Sequence, residues 1–152
     1  MKVLALTTVS ALALCGAANA DVSISSKPTQ NMSCDAGVCI ATAQKAVLNV
    51  GDLANMLNSG DVTVKTGTAA KDIAIDQPLS WTSASRLKLD ARQSVIVNKQ
   101  VTVMGQGSLT VTTNDNGNPK NKSDEFIVVP ERGSVQLWDK NSSLIIDGKV
   151  TN

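Results

Sequence analysis

Between residues 61 and 115 apolar and polar side chains alternate in short runs. Val62-x-Val64, Ile73-x-Ile75, Leu87-x-Leu89, Val95-x-Val97, Val101-x-Val103 and Leu109-x-Val111 each set two aliphatic residues on one face, the period of two that a strand imposes. Thr63, Ala74, Lys88, Ile96, Thr102 and Thr110 sit between them and face the other way. Turn formers punctuate the runs: Gly67, Asp76-Gln77-Pro78, Asn98-Lys99, Gly105-Gln106-Gly107 and Asn114-Asp115-Asn116-Gly117. From Leu87 the strand starts follow at steps of 8, 6 and 8 residues. Three such strands make a repeat of about twenty residues, within the solenoid range. A sandwich or barrel is the competing arrangement. Very short strands and small or β-branched inward residues favour the solenoid, since a sandwich core would hold more aromatic rings.

The flanks of this stretch carry weaker signals. Asn49 is an N-cap candidate, and Asp52 places a negative charge in the first turn beyond it. Leu53, Met56 and Leu57 form one apolar stripe and Gly60 supplies a stop, so the pattern predicts a two-turn helix from about Gly51 to Asn58. A helix that short is not stable alone in water, so its stripe should cover the start of the strand region. Residues 116–125, NGNPKNKSDE, break the rhythm and read as a loop. Strands resume at Phe126-Ile127-Val128-Val129, Val135-Gln136-Leu137 and Leu144-Ile145-Ile146. Residues 21–33 are polar and contain Pro28, which predicts an extended, poorly ordered lead-in.

The first twenty residues read as an export signal. Lys2 precedes an apolar run from Val3 to Leu14, and Ala18-Asn19-Ala20 has the small-x-small form of a peptidase site, so cleavage is expected between Ala20 and Asp21. The run is too short to span a bilayer, which takes roughly 20 residues, and no integral membrane segment is expected after its removal. Lipidation at Cys15 is the alternative, disfavoured by the bulk of Leu14 before it. Without Lys2 the remaining chain holds thirteen basic and thirteen acidic residues. That balance, with two Trp, one Phe and no Tyr, argues against nucleic-acid binding and against an aromatic sugar platform. Histidine is absent, which removes the commonest general base and metal ligand.

Cys34 and Cys39 remain, in CDAGVC. In an oxidising compartment a disulfide is the default. Its small loop would stiffen a local turn, with free thiols as the alternative. A redox site would prefer C-x-x-C, and a zinc site needs two further ligands. Arg86, Lys88, Asp90 and Arg92 form the one charge row of note, on the outward side of a strand. A solvated face that discourages sheet stickiness is the plain reading. A binding strip made by Arg86, Lys88 and Arg92 for an anionic glycan is the functional one. No catalytic, cofactor-binding or metal-ligating residues are expected.

The stretch DIAIDQPLSWTSASRLKLDARQSVIVNKQVTVMGQGSLTVTTND, followed by GSVQLWDKNSSLIIDG, resembles the β-strand-repeat region of large secreted bacterial proteins of the filamentous-haemagglutinin and autotransporter-passenger kind. Leu79-Ser80-Trp81, the run Leu87 to Ala91 and the run Ser108 to Asp115 carry the likeness, which covers roughly residues 40–150. It implies an all-β, right-handed parallel β-helix, here of about four rungs with a short N-terminal capping helix. The expected layout is a signal peptide at 1–20, a lead-in with a disulfide turn at 21–39, a helical cap at 40–60, and rungs at 61–152. The expected role is non-enzymatic attachment, secreted or at the cell surface or periplasm, to a host or matrix glycan or protein. Two alternatives stand beside it: an assembly unit or remnant that self-associates through its C-terminal rung, and a small carbohydrate-active enzyme.

Overall fold

The computed structural model describes residues 21–115 and 125–151. The expected export signal at residues 1–20 and most of the expected loop at 116–125 lie outside the described residues. The chain runs β1 (Asp21–Ser25), β2 (Met32–Asp35), β3 (Val38–Ala41), β4 (Ala46–Asn49), α1 (Val50–Ser59), β5 (Val62–Lys65), β6 (Asp72–Ile75), β7 (Leu79–Trp81) and β8 (Arg86–Asp90). It continues through β9 (Val95–Val97), β10 (Gln100–Val103), β11 (Ser108–Thr112), β12 (Phe126–Val128), β13 (Ser134–Leu137), β14 (Ser143–Ile146) and β15 (Lys149–Val150). The strands form three sheets with spatial orders β12-β9-β6-β1-β4, β13-β10-β7 and β15-β14-β11-β8-β5-β3-β2.

This arrangement corrects the expected fold. The chain is not the all-β, right-handed parallel β-helix of about four rungs behind an N-terminal helix. Among the described residues the structure is a mixed-sheet arrangement with one helix. Its sheets are unequal, with five, three and seven strands. The largest is antiparallel at both ends, where β2 pairs β3 and β15 pairs β14. The helix does not stand in front of the strands but is inserted between β4 and β5. Alternation reveals which residues face inward. It does not reveal strand direction or where a helix interrupts the order, because both are decided by the connections.

Residues 21–25, expected to be a loose lead-in, form a strand hydrogen-bonded on both sides. β1 pairs in parallel with β4 and with β6, and Val22 and Ile24 are fully buried. The core is a set of ladders in which like residues stack in register. Leu48, Ile24, Ile75 and Val97 follow one another across the five-stranded sheet. Val62, Leu87, Leu109 and Leu144 do so across the seven-stranded sheet. Parallel neighbours lie about 4.8 Å apart, so branched aliphatic side chains (Leu, Ile and Val) pack against near-copies of themselves.

Asn49 caps α1 by accepting hydrogen bonds at its side-chain oxygen from the N–H groups of Gly51 and Asp52, at 2.9 and 3.1 Å. Leu53 and Leu57 point into the core, where the helix packs on β7, β4 and β5. The Ser83 hydroxyl donates to the Leu57 carbonyl at 2.6 Å, which ties the helix C-terminus to the loop after β7. Trp81 is buried and its indole N–H donates to the Ser85 carbonyl at 3.0 Å. Trp138, by contrast, is 66% exposed.

β2 and β3 form a hairpin whose two turn residues, Ala36 and Gly37, have φ of 51° and 81°, the left-handed pair that matches strand twist in a tight hairpin. Gly37 is required twice over. Its φ disfavours a side chain, and a Cβ there would meet the Asp61 carbonyl oxygen at 2.6 Å. Cys34 and Cys39 face each other across this hairpin and are joined in a disulfide. Chemical denaturation with and without reductant should show the reduced protein less stable by about 2 kcal/mol, the loop-closure value for so short a segment. Identical transitions would show that the hairpin holds without the bond.

Candidate surface-binding site

The outward face of the seven-stranded sheet carries the charge row. Arg86 and Lys88 project from β8 with Asp90, and their inward neighbours Leu87 and Leu89 are fully buried. The Asp61 side chain accepts the Arg86 backbone N–H at 2.8 Å, which anchors the start of the strand. Arg92 is not on the strand: it follows buried Ala91 in the turn after β8, where its backbone N–H donates to the Thr66 hydroxyl at 2.9 Å. The three residues read as one strip thus occupy a strand and its exit turn.

Two partners of this row escaped the sequence reading. Lys65 is the register partner of Asp90 across β5 and β8. The alternation of Val62 and Val64 could have placed it on the outward face. Asp115 comes from the turn after β11 and stands beside Asp90, 25 positions further along the chain. Lys65, Thr66, Thr68, Asp90, Arg92 and Asp115 line a cleft of about 380 Å³. Burial raises the Asp90 pKa. A hydrogen bond with the Asp115 carboxyl and the charge there raise it further, while Lys88 and Lys65 pull it down.

A second acidic group lies in the five-stranded sheet. Asp21 and Asp72 are register partners at the start of β1 and β6. Asp76 accepts from the Ser23 hydroxyl at 2.6 Å and from the Asn98 amide at 2.8 Å. Burial is the largest cause that lifts the Asp21 pKa from 3.8 to about 6, followed by the charge of Asp72. Asp21, Ser23 and Asp76 line a larger cleft of about 590 Å³ together with Lys27 and Lys45. Among the described residues no three His, Cys, Asp or Glu side chains gather in a way that could hold a metal ion, and no helix is long and apolar enough to cross a membrane.

The Asp21 shift has a defined effect on stability. The folded chain binds the proton more tightly than the unfolded one between pH 3.8 and about 6, so stability is highest below that window and falls as pH rises through it. Asp21→Asn should raise the melting temperature at pH 7 and flatten the decline across the window. A variant with the wild-type pH profile would show that Asp21 ionises without cost. No protein-family model, curated protein or solved structure matches this chain.

Proposed function

We propose that this chain is a secreted, non-enzymatic module for attachment to an anionic surface polymer, as its resemblance to secreted adhesins suggests. The supporting observation is the meeting of Lys65, Arg86 and Lys88 on the outward face of one sheet, with Arg92 at its margin. Cationic side chains on a rigid sheet have their spacing set by the backbone, so a repeating anion can engage several at once. The flanking outward positions Thr63 and Ser108 add hydroxyl groups in register with Lys88 and Arg86. Retention on immobilised dextran sulfate tests the reading. The protein should bind at low salt and elute as salt rises. The triple substitution of Arg86, Lys88 and Arg92 by Ala should weaken retention roughly tenfold, on three exposed ion pairs of about 0.5 kcal/mol each. Passage of the unaltered protein without retention would refute attachment through this row.

A second reading, self-association, is favoured by the sheet edges at β12 and β13. Each is the terminal strand of its sheet. Phe126, Val135, Leu137, Leu144 and Ile146 pack against the core yet are only partly buried. Strand edges that no described strand covers, beside half-buried apolar surface, are templates for strand addition. In sedimentation experiments the average mass should then rise with concentration, and Val128→Lys, at an exposed position on β12, should suppress the rise. A monomer at all concentrations would dismiss this reading.

A further inference from the structure

The three-stranded sheet is the neutral one. The seven-stranded sheet presents Lys65, Arg86 and Lys88 and the five-stranded sheet Asp21 and Asp72, whereas β7, β10 and β13 contain no charged residue. Ser80, Thr102 and Gln136 are register partners across its outward face. Trp138 follows β13 directly, and its backbone N–H donates to the Val103 carbonyl at 2.9 Å, which extends the ladder by one residue. Its indole N–H donates to the Gln136 amide oxygen at 3.3 Å. These bonds fix the ring, yet Trp138 is 66% exposed while Trp81 of the same sheet is buried. Trp138 lines a cleft of about 320 Å³ with Pro78, Met104, Ser80, Gln100 and Thr102, within the size range of small-ligand sites.

The lining limits the occupant. Among the described residues no carboxylate and no second ring borders the cleft, so a cationic ligand finds neither counter-charge nor cage. No Lys or Arg lines it either, so a base stacked on the indole would leave its phosphate unmatched. Proline-rich peptides take grooves lined by several aromatic rings. A protein partner wants an apolar core around its anchor, whereas Ser80, Gln100 and Gln136 surround this one with exposed hydroxyl and amide groups. Gln100 gives one amide N–H to the Thr102 hydroxyl at 3.1 Å and keeps its carbonyl oxygen and second N–H for a ligand. An uncharged ring with an apolar C–H face and a rim of hydroxyls matches both the indole and its polar border.

We propose that the cleft beside Trp138 is a subsite for one neutral pyranose residue of a glycan. The C–H face of the sugar stacks on the indole, and Gln100 and Ser80 bind its hydroxyls. Gln136 is a positioning residue that holds the indole through its N–H. The scarcity of aromatic side chains counts against a platform of several rings, but a single subsite needs only one. The assignment goes beyond the charged row: it lies on a different sheet and takes a ligand of different charge.

Tryptophan fluorescence and calorimetry with hexamers of glucose, galactose, mannose and N-acetylglucosamine test the subsite. At least one hexamer should shift the emission to shorter wavelength and saturate. Trp138→Ala should weaken its binding by about tenfold or more, the loss of an aromatic contact. Trp138→Phe, which keeps a ring, should restore most of it, and Gln100→Ala should weaken it about three- to tenfold, the loss of one hydrogen bond. Trp138 is exposed, so its replacement should leave the melting temperature unchanged. Retention on dextran sulfate should be the same in Trp138→Ala as in the unaltered protein, so attachment through the charged row stands or falls separately. Binding of none of the four hexamers overturns the subsite, as does binding that survives Trp138→Ala. An emission shift produced by raising the protein concentration alone also overturns it, since a second copy would then cover the ring.

Discussion

In-register stacking of aliphatic side chains is the constraint on which the rest of the structure depends. A parallel neighbour places each inward residue directly over its counterpart, about 4.8 Å away. The column Ala46, Val22, Ile73, Val95 and the column Cys39, Val64, Leu89, Val111 show the consequence. Each column holds small, sulfur-containing, β-branched or aliphatic residues throughout, and all of these positions are essentially fully buried. Full burial of one such side chain is worth about 1.5–3 kcal/mol, so the columns outweigh any single turn or cap. The interior has little room for aromatic rings: Trp81 enters it only with its indole N–H satisfied by the Ser85 carbonyl.

The same stacking brings charge together. A register that sets Leu89 over Val64 must also set Asp90 over Lys65, and one that sets Ile73 over Val22 must set Asp72 over Asp21. The first pairing joins opposite charges and the second joins like ones. Both lie where strands end, since an outward-facing carboxylate at a strand end meets the adjoining turns. That is how Asp90 comes to face Asp115, and how Asp76 collects donors from Ser23 and Asn98. The electrostatic character of the surface thus follows from hydrophobic register. The candidate site is a product of that register as much as of its own residues.

The helix and the hairpin adapt the sheets to irregular local sequence. α1 buries Leu53 and Leu57 against β7, β4 and β5, covering aliphatic surface that those strands would otherwise expose. The β2–β3 hairpin, closed by Cys34–Cys39, adds an antiparallel end to the seven-stranded sheet. An antiparallel ending needs only the two residues Ala36 and Gly37, whereas a further parallel strand needs a long connection.

Alternation alone identified Val62, Val64, Ile73, Ile75, Leu87, Leu89, Val95, Val97, Val101, Val103, Leu109 and Val111 as inward, and all twelve are buried. This was legible because a period of two is a local property of the backbone. The helix was legible for the same reason: Asn49, Asp52, Leu53 and Leu57 are near neighbours whose roles need no distant partner. β1 was missed although Val22 and Ile24 have the same spacing, since polar residues and Pro28 surround them and only β4 and β6 give them a core to enter. Sequence placed Arg86 and Lys88 on one outward face. It could not bring Asp115 to Asp90, or set Lys65 over it, because those meetings depend on register between segments about 25 residues apart. Local chemistry determined the elements and their faces. Strand direction, sheet membership and the cleft were decided only when the chain closed on itself, because each depends on contacts between residues distant in sequence.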